Sequence, residues 1–142
     1  MAKILVSGLI NIETTLRVEG FPIAYNPVNY PFFGVNSSVS GVGYNIARAL
    51  TTLGDAVKFL SLIGADSAGQ LVQNALAADG IPAEGVLAAI PATAQSVILY
   101  DPQGRRQIYT DLKDIQERIY PPEQYERASA GCEWQALCNC CG

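Results

Sequence analysis

The first apolar run of the chain, Ile4-Leu5-Val6, is unbroken and stops at Ser7-Gly8. A strand buried on both faces has this signature, because neither face turns a polar side chain to water. The stretch Asn45–Leu53 follows another rhythm. Ile46, Ala49, Leu50 and Leu53 recur at i, i+3, i+4 and i+7, which is one apolar face of a helix, and Gly54 follows as its stop. Val57–Ile63 returns to a strand closed by Gly64. A second helix is predicted from an N-cap at Asp66 or Ser67, with Leu71, Val72, Ala75 and Leu76 as its buried stripe and Asp79-Gly80 as its end. Ile81-Pro82 cannot continue that helix, and a short extended piece follows near Val86-Leu87. Strand, excursion, helix, strand, helix, strand is the order of an α/β fold with a parallel sheet and right-handed crossovers.

The remaining segments read differently. Residues 12–18 and 28–39 mix polar, β-branched and aromatic positions, with Pro22, Pro27 and Pro31 between them, and suit short or edge strands with turns. Gln95–Tyr100 and Arg105–Thr110 flank Asp101-Pro102-Gln103-Gly104, whose Pro and Gly suit a reverse turn, so residues 95–110 predict a hairpin. Pro121-Pro122-Glu123 suits the first turn of a helix, and residues 132–138 a further sheet strand. Tyr25, Tyr30, Phe32 and Phe33 suit either a cover for the sheet or a dimer contact.

Composition narrows the function classes. The chain has 142 residues, enough for one domain with one core, and a net charge of -4 with no Lys/Arg run. A nucleic-acid or membrane-surface role therefore lacks an electrostatic footprint, and no apolar stretch approaches a membrane span. The amino terminus reads as a buried strand rather than a signal peptide, and the expectation is a cytoplasmic protein. There is no His, which removes the commonest general base and metal ligand. All four cysteines, Cys132, Cys138, Cys140 and Cys141, fall in the last eleven residues. That clustering argues against a disulfide framework, and the missing CxxC spacing argues against zinc. Cys132 and Cys138 read as small buried residues on a strand.

The candidate chemistry sits in Ser40-Gly41-Val42-Gly43-Tyr44-Asn45-Ile46-Ala47. Two glycines at a helix entrance let a backbone approach a bound molecule, free N–H groups of the first turn would face it, and the Asn45 amide both donates and accepts, as a sugar hydroxyl requires. The plain alternative is a tight turn with Asn45 as helix cap. A dinucleotide-binding reading of Gly41-Val42-Gly43 is weak: no clean strand precedes the glycines, the third glycine is missing, and no acid lies about twenty residues on.

The wider spacing resembles the first fingerprint of the ribokinase, or pfkB, carbohydrate kinase family. In that pattern Gly-x-Gly-x-Asn leads to a small residue, then to two further glycines, and Gly41, Gly43, Asn45, Ala47, Gly54 and Gly64 all fall in place. Ser40 departs from the family's usual Gly or Ala and leaves the substrate open. Gly8, Asn11 and Glu13 match the family's Gly…Asn-x-Asp stretch, whose Asn and acid hold sugar hydroxyls. Glu13 is longer than the usual Asp by about 1.5 Å. Gly64-Ala65-Asp66-Ser67-Ala68-Gly69 resembles the Gly-x-Asp-x-x-Gly segment that opens the second helix, with Asp66 read as a cap. Thr93, Ser96 and the hairpin through Arg105 resemble the family's Thr-bearing strand and Gly hairpin, with Arg105 and Arg106 read as solvated hairpin charges.

The resemblance implies a ribokinase-like αβα sandwich with a parallel central sheet plus a small β-lid, of which only the N-terminal half is present. Residues 1–139 would be that half, with lid pieces about 12–18, 28–39 and 95–110, and residues 140–142 a short Cys-rich end from a truncated or frameshifted product. It implies transfer of the γ-phosphate of ATP, with Mg²⁺, to a hydroxymethyl group of a sugar or nucleoside. The implied substrate-binding residues are Asn11, Glu13, Gly41, Gly43 and Asn45. The family's Gly-Ala-Gly-Asp segment, which carries its base, does not occur here, nor does its Asn-x-x-Glu segment. No catalytic, cofactor or metal residue is therefore expected in this chain, and a homodimer through the lid is. The rival expectation is a non-catalytic module that binds sugar or dimerises.

Overall fold

Residue-by-residue alternation sorts the central strands onto two apolar layers. In this computed structural model, which describes residues 1–138, β1 (Lys3–Ser7) sends Ile4 and Val6 to one side and Leu5 to the other. The neighbouring β4 (Ala56–Gly64) does the same with Val57, Phe59 and Ile63 against Leu60 and Leu62. With β5 (Val86–Ile90) and β8 (Trp134–Leu137) they form a parallel sheet of order β5-β4-β1-β8. Helices α1 (Val42–Thr52) and α2 (Ser67–Ala78) cover the first side through Tyr44, Ala47, Val72 and Leu76. On the second side lie α3 (Pro122–Ser129), with Tyr125 and Ala128, and the preceding Ile115 and Tyr120. This is the expected αβα sandwich, with crossovers carrying the helices.

A second sheet grows directly out of the first. The chain leaves β1 through Gly8–Ile10 and enters β2 (Asn11–Arg17), and it leaves β5 to enter β6 (Gln95–Tyr100). With β3 (Val35–Ser40) and β7 (Arg106–Asp111) these give a four-stranded sheet of order β3-β2-β6-β7, in which β2 and β6 are parallel and both outer pairs antiparallel. It occupies the expected lid segments, except that residues 28–34 are irregular and β3 begins at Val35. The seam is hydrogen-bonded: Ile12 donates from its backbone to the Ala94 carbonyl at 3.1 Å, and Gly8 to that of Leu60 at 3.1 Å.

Several local expectations need correction. Helix α1 starts at Val42, three residues before the expected Asn45, with Gly41 as its N-cap, so Asn45 does not cap it. Its buried side is Gly43, Tyr44 and Ala47, flanked by Ile46 and Leu50, whereas Leu53 is exposed. The extra first turn shifts the contact face, because Gly43 and Tyr44 meet the sheet first. In α2, Leu71 is exposed while Val72 and Leu76 are fully buried. Leu71 stands on the flank of a stripe centred on Gly69, Val72 and Leu76. Cys132 precedes β8 and Cys138 follows it, and both are half-buried rather than buried on the strand. Asn139, Cys140 and Cys141 lie outside the described residues.

Candidate functional site

The seam between the sheets gathers most of the residues that the sequence singled out. Asn11 opens β2 and is only 3% exposed. Its Nδ2 donates to Ser96 Oγ at 2.8 Å, and Ser96 Oγ donates onward to Thr110 Oγ1 at 3.2 Å. The Ser96 proton is thus used on Thr110, which leaves Ser96 as acceptor and fixes which end of the Asn11 amide faces it. The other end, Asn11 Oδ1, is buried and has no partner among the described residues. A buried acceptor without a donor costs about 1–3 kcal/mol, so Asn11 Oδ1, like the buried Ser61 Oγ and Thr51 Oγ1, calls for a partner from an ordered water or a ligand.

Side-chain alternation defines the face on which Asn11 sits. Asn11, Glu13 and Thr15 of β2 pair with Ser40, Ser38 and Asn36 of β3, and Glu13 also pairs with Ser96 of β6. Glu13 is half-buried, and its carboxylate makes no ion pair or hydrogen bond among the described residues. The face therefore presents amides, hydroxyls and one carboxylate, a donor set for a polyhydroxy ligand.

Gly41 and Gly43 are held here for a reason that lies in the protein's own backbone. Gly41 has φ 115, and a Cβ on it would come 2.4 Å from the Leu9 carbonyl oxygen. A Cβ on Gly43 would come 2.6 Å from the Gly8 carbonyl carbon. The helix start is thereby pressed onto the end of β1, and Tyr44 donates its N–H to the Leu9 carbonyl at 3.2 Å. Asn45 stands one turn above Gly41, exposed, its N–H bonded to the Gly41 carbonyl at 2.9 Å. Asn11, Gly41 and Gly43 thus adjoin the end of β1, while Glu13 stands two residues further along β2 on the Asn11 face and Asn45 one turn along α1 from Gly41.

Sequence reasoning underrated the framework behind these residues. Asp66 caps α2 as expected, accepting from Gly69 N–H at 2.8 Å. It also accepts from the Thr93 hydroxyl at 2.6 Å and the Thr93 N–H at 2.9 Å, while Thr93 Oγ1 accepts from Gly64 N–H at 3.0 Å. The Thr93 hydroxyl, aided by the Thr93 and Gly69 amides, outweighs burial and lowers the Asp66 pKa below the ordinary carboxylate value. This clamp fixes the β5–β6 connection three residues before Ser96, and so positions the partner of Asn11. Thr110 carried no motif, and only its register opposite Ser96 reveals it.

The hairpin arginines divide. Arg105 is not simply solvated: its Nε pairs with the buried Asp101 carboxylate at 2.7 Å, and its guanidinium lies 5.7 Å from the Phe21 ring centroid. Burial opposes ionisation of Asp101, but its bonds from Arg105 and Gln103 prevail and lower its pKa. Arg106 is exposed on β7, as expected.

The model of the pfkB family carbohydrate kinases matches residues 1–131. The chain belongs to this family. Among curated relatives, the acarbose 7(IV)-phosphotransferase of Actinoplanes sp. (strain ATCC 31044 / CBS 674.73 / SE50/110) is 28% identical over 122 residues, covering 83% of this pfkB chain and 39% of the relative. Among solved structures, a microbiome-derived acarbose kinase superposes with a TM-score of 0.81 at 24% identity, over 96% of this chain and 45% of its own. A ribokinase of Arabidopsis thaliana, complexed with ribose and ATP, superposes with a TM-score of 0.77 at 20% identity over the same shares. The ribokinase-like fold is thus shown, and the chain spans less than half the length of these proteins, corresponding to their N-terminal part. No helix among the described residues is long and apolar enough to cross a membrane.

Proposed function

We propose that this pfkB chain is the acceptor-binding part of an ATP-dependent carbohydrate kinase, which phosphorylates a hydroxymethyl group of a sugar or nucleoside. The observation that carries the reading is the buried Asn11 Oδ1 at the foot of the lid, which has no partner among the described residues. A sugar O–H supplies the missing donor there. Glu13 accepts from a neighbouring hydroxyl, and Gly41, Gly43 and Asn45 bound the ring from the helix side. The lid sheet shields the bound alcohol from water, so that attack on phosphate is not lost to hydrolysis.

The family relationship supports ATP as phosphoryl donor. Among the described residues, no three His, Cys, Asp or Glu side chains come together to hold a metal ion. The catalytic base and the nucleotide site belong, in this reading, to segments outside this sequence. Pairing of two chains through their lids is part of the same proposal.

The test is saccharide-dependent thermal stabilisation of the chain, measured with ribose, fructose, glucose, gluconate and inosine. At least one of these is expected to raise Tm in the unmodified chain and not in Asn11→Ala. A panel without effect, or an effect that survives Asn11→Ala, contradicts the reading.

A further inference from the structure

Helix α1 and its N-cap carry three of the candidate acceptor residues, Gly41, Gly43 and Asn45, yet little of the helix's own chemistry fixes its first turn. Gly41 has no side chain with which to cap the free N–H groups, and the first turn holds no acid to meet the helix dipole. What holds this turn comes from Tyr44, which stands between Gly43 and Asn45 and is 4% exposed.

Tyr44 makes two ties to two different elements. Its N–H donates to the Leu9 carbonyl, just past the end of β1. Its hydroxyl donates to the carboxylate of Asp79, the C-cap residue of α2. The same Asp79 Oδ2 lies 3.3 Å from Nε of Arg48, one turn further along α1. One carboxylate thus holds two successive turns of the helix. The two contacts are unequal. Arg48 has a side chain 60% exposed, where solvent screens an ion pair. The Tyr44 hydroxyl is buried and bonds a charged acceptor, a stronger arrangement. Burial, reinforced by the bond to Asp79, pushes the Tyr44 pKa up to about 12, so the hydroxyl keeps its proton throughout the neutral range.

We propose that Tyr44 is a positioning residue for the acceptor site: with Asp79 it seats the first turn of α1, and so sets where Gly41, Gly43 and Asn45 stand relative to Asn11. A ligand binds more tightly to groups already in place than to groups that binding must order. Loss of the Tyr44 hydroxyl leaves the glycines and Asn45 present but less firmly seated. This inference rests on the acceptor-site reading above and adds to it a residue that need not touch the ligand.

The experiment is calorimetric titration with whichever of ribose, fructose, glucose, gluconate and inosine raises Tm most, circular dichroism showing that each variant is folded. Tyr44→Phe keeps the buried ring and removes only the hydroxyl, and is expected to weaken binding by about fivefold or more. Asp79→Ala is expected to weaken it to a similar degree, and Tyr44→Phe/Asp79→Ala no further, because the pair acts as a unit. Arg48→Ala is expected to stay within about twofold of the unmodified chain. Ile115→Val, in the apolar layer on the other side of the central sheet, is the control: it lowers the denaturation midpoint and leaves the affinity unchanged. If Asn11→Ala abolishes binding while Tyr44→Phe lowers the midpoint and leaves the affinity intact, Tyr44 serves only the fold, and the inference falls while the acceptor site stands. If the losses of Tyr44→Phe and Asp79→Ala multiply in the double variant, the two residues act separately, and the inference is overturned. If no saccharide binds the unmodified chain, the acceptor-site reading fails, and the inference with it.

Discussion

The two sheets of this chain use the same backbone pairing to opposite ends. The central sheet is covered by α1 and α2 on one side and α3 on the other, and its middle strands are apolar at almost every position. The lid sheet has hydroxyls, amides and one acid on the Asn11 face, and β7 is exposed along its whole length. Between them, Gly8, Gly41 and Gly43 bring helix α1 into backbone contact with the end of β1. Apolar packing is concentrated below that seam and polar side chains above it. Asn11 stands at the seam: its amide nitrogen donates to Ser96, and its amide oxygen is buried without a partner among the described residues.

If that division is right, substitutions should lose their effect on stability from the central sheet outward. Phe59 is the largest fully buried side chain, and Phe59→Ala is expected to lower stability by about 3–5 kcal/mol. A chemical denaturation curve reads this as an earlier midpoint. Gly43→Ala puts a Cβ 2.6 Å from the Gly8 carbonyl carbon, where only backbone can give way. It is expected to cost about 1–3 kcal/mol in the same assay. A near-neutral result would show that the helix–strand seam is looser than its geometry.

Thr93→Val removes the hydroxyl that donates to Asp66 and accepts from Gly64 N–H, at an expected cost of about 1–2 kcal/mol at neutral pH. The folded-state pKa of Asp66 is lowered, so the unfolded chain holds its proton more readily. The stability from this carboxylate is complete above the unfolded value of about 4 and is lost as pH falls through the folded value. The gap between parent and Thr93→Val should therefore narrow below about pH 4 in acid denaturation series. A gap independent of pH would separate Thr93 from the Asp66 carboxylate. In the strap of residues 21–34, between β2 and β3, the expected effect is smallest and of opposite sign. Phe33→Gly relieves φ 55 and exposes nothing new, so it should leave stability unchanged or raise it by up to about 1 kcal/mol. A clear loss would mean that the strap is part of the stabilising framework.

The same contrast explains what was legible in the sequence. The parallel strands showed plainly, because unbroken apolar runs such as Ile4-Leu5-Val6 admit few other readings. Asp66 as a cap and the Asp101–Gly104 turn followed from local chemistry that depends on few distant residues. The buried side of α1 was misplaced because its first turn, Val42-Gly43-Tyr44, carries the main contact, and glycine leaves no mark in an apolar periodicity. Leu71 was misplaced for the complementary reason: an apolar residue on the flank of a stripe looks like part of it. The glycine pair was found by motif, yet its contacts with Leu9 and Gly8 depend on how closely the chain folds back on itself. The Asn11–Ser96–Thr110 relay joins β2, β6 and β7, and only strand register brings its members together.

The most direct test of the central claim is an NMR titration of the Asn11 side-chain amide with the saccharide that stabilises the chain best. A hydroxyl donated to Asn11 Oδ1 should shift the Asn11 Nδ2 proton resonances in step with saturation, while reporters on α3, on the far side of the central sheet, stay in place. Saturating binding that leaves the Asn11 amide unmoved would contradict the account, because the acceptor buried without a partner would then not be where the sugar binds.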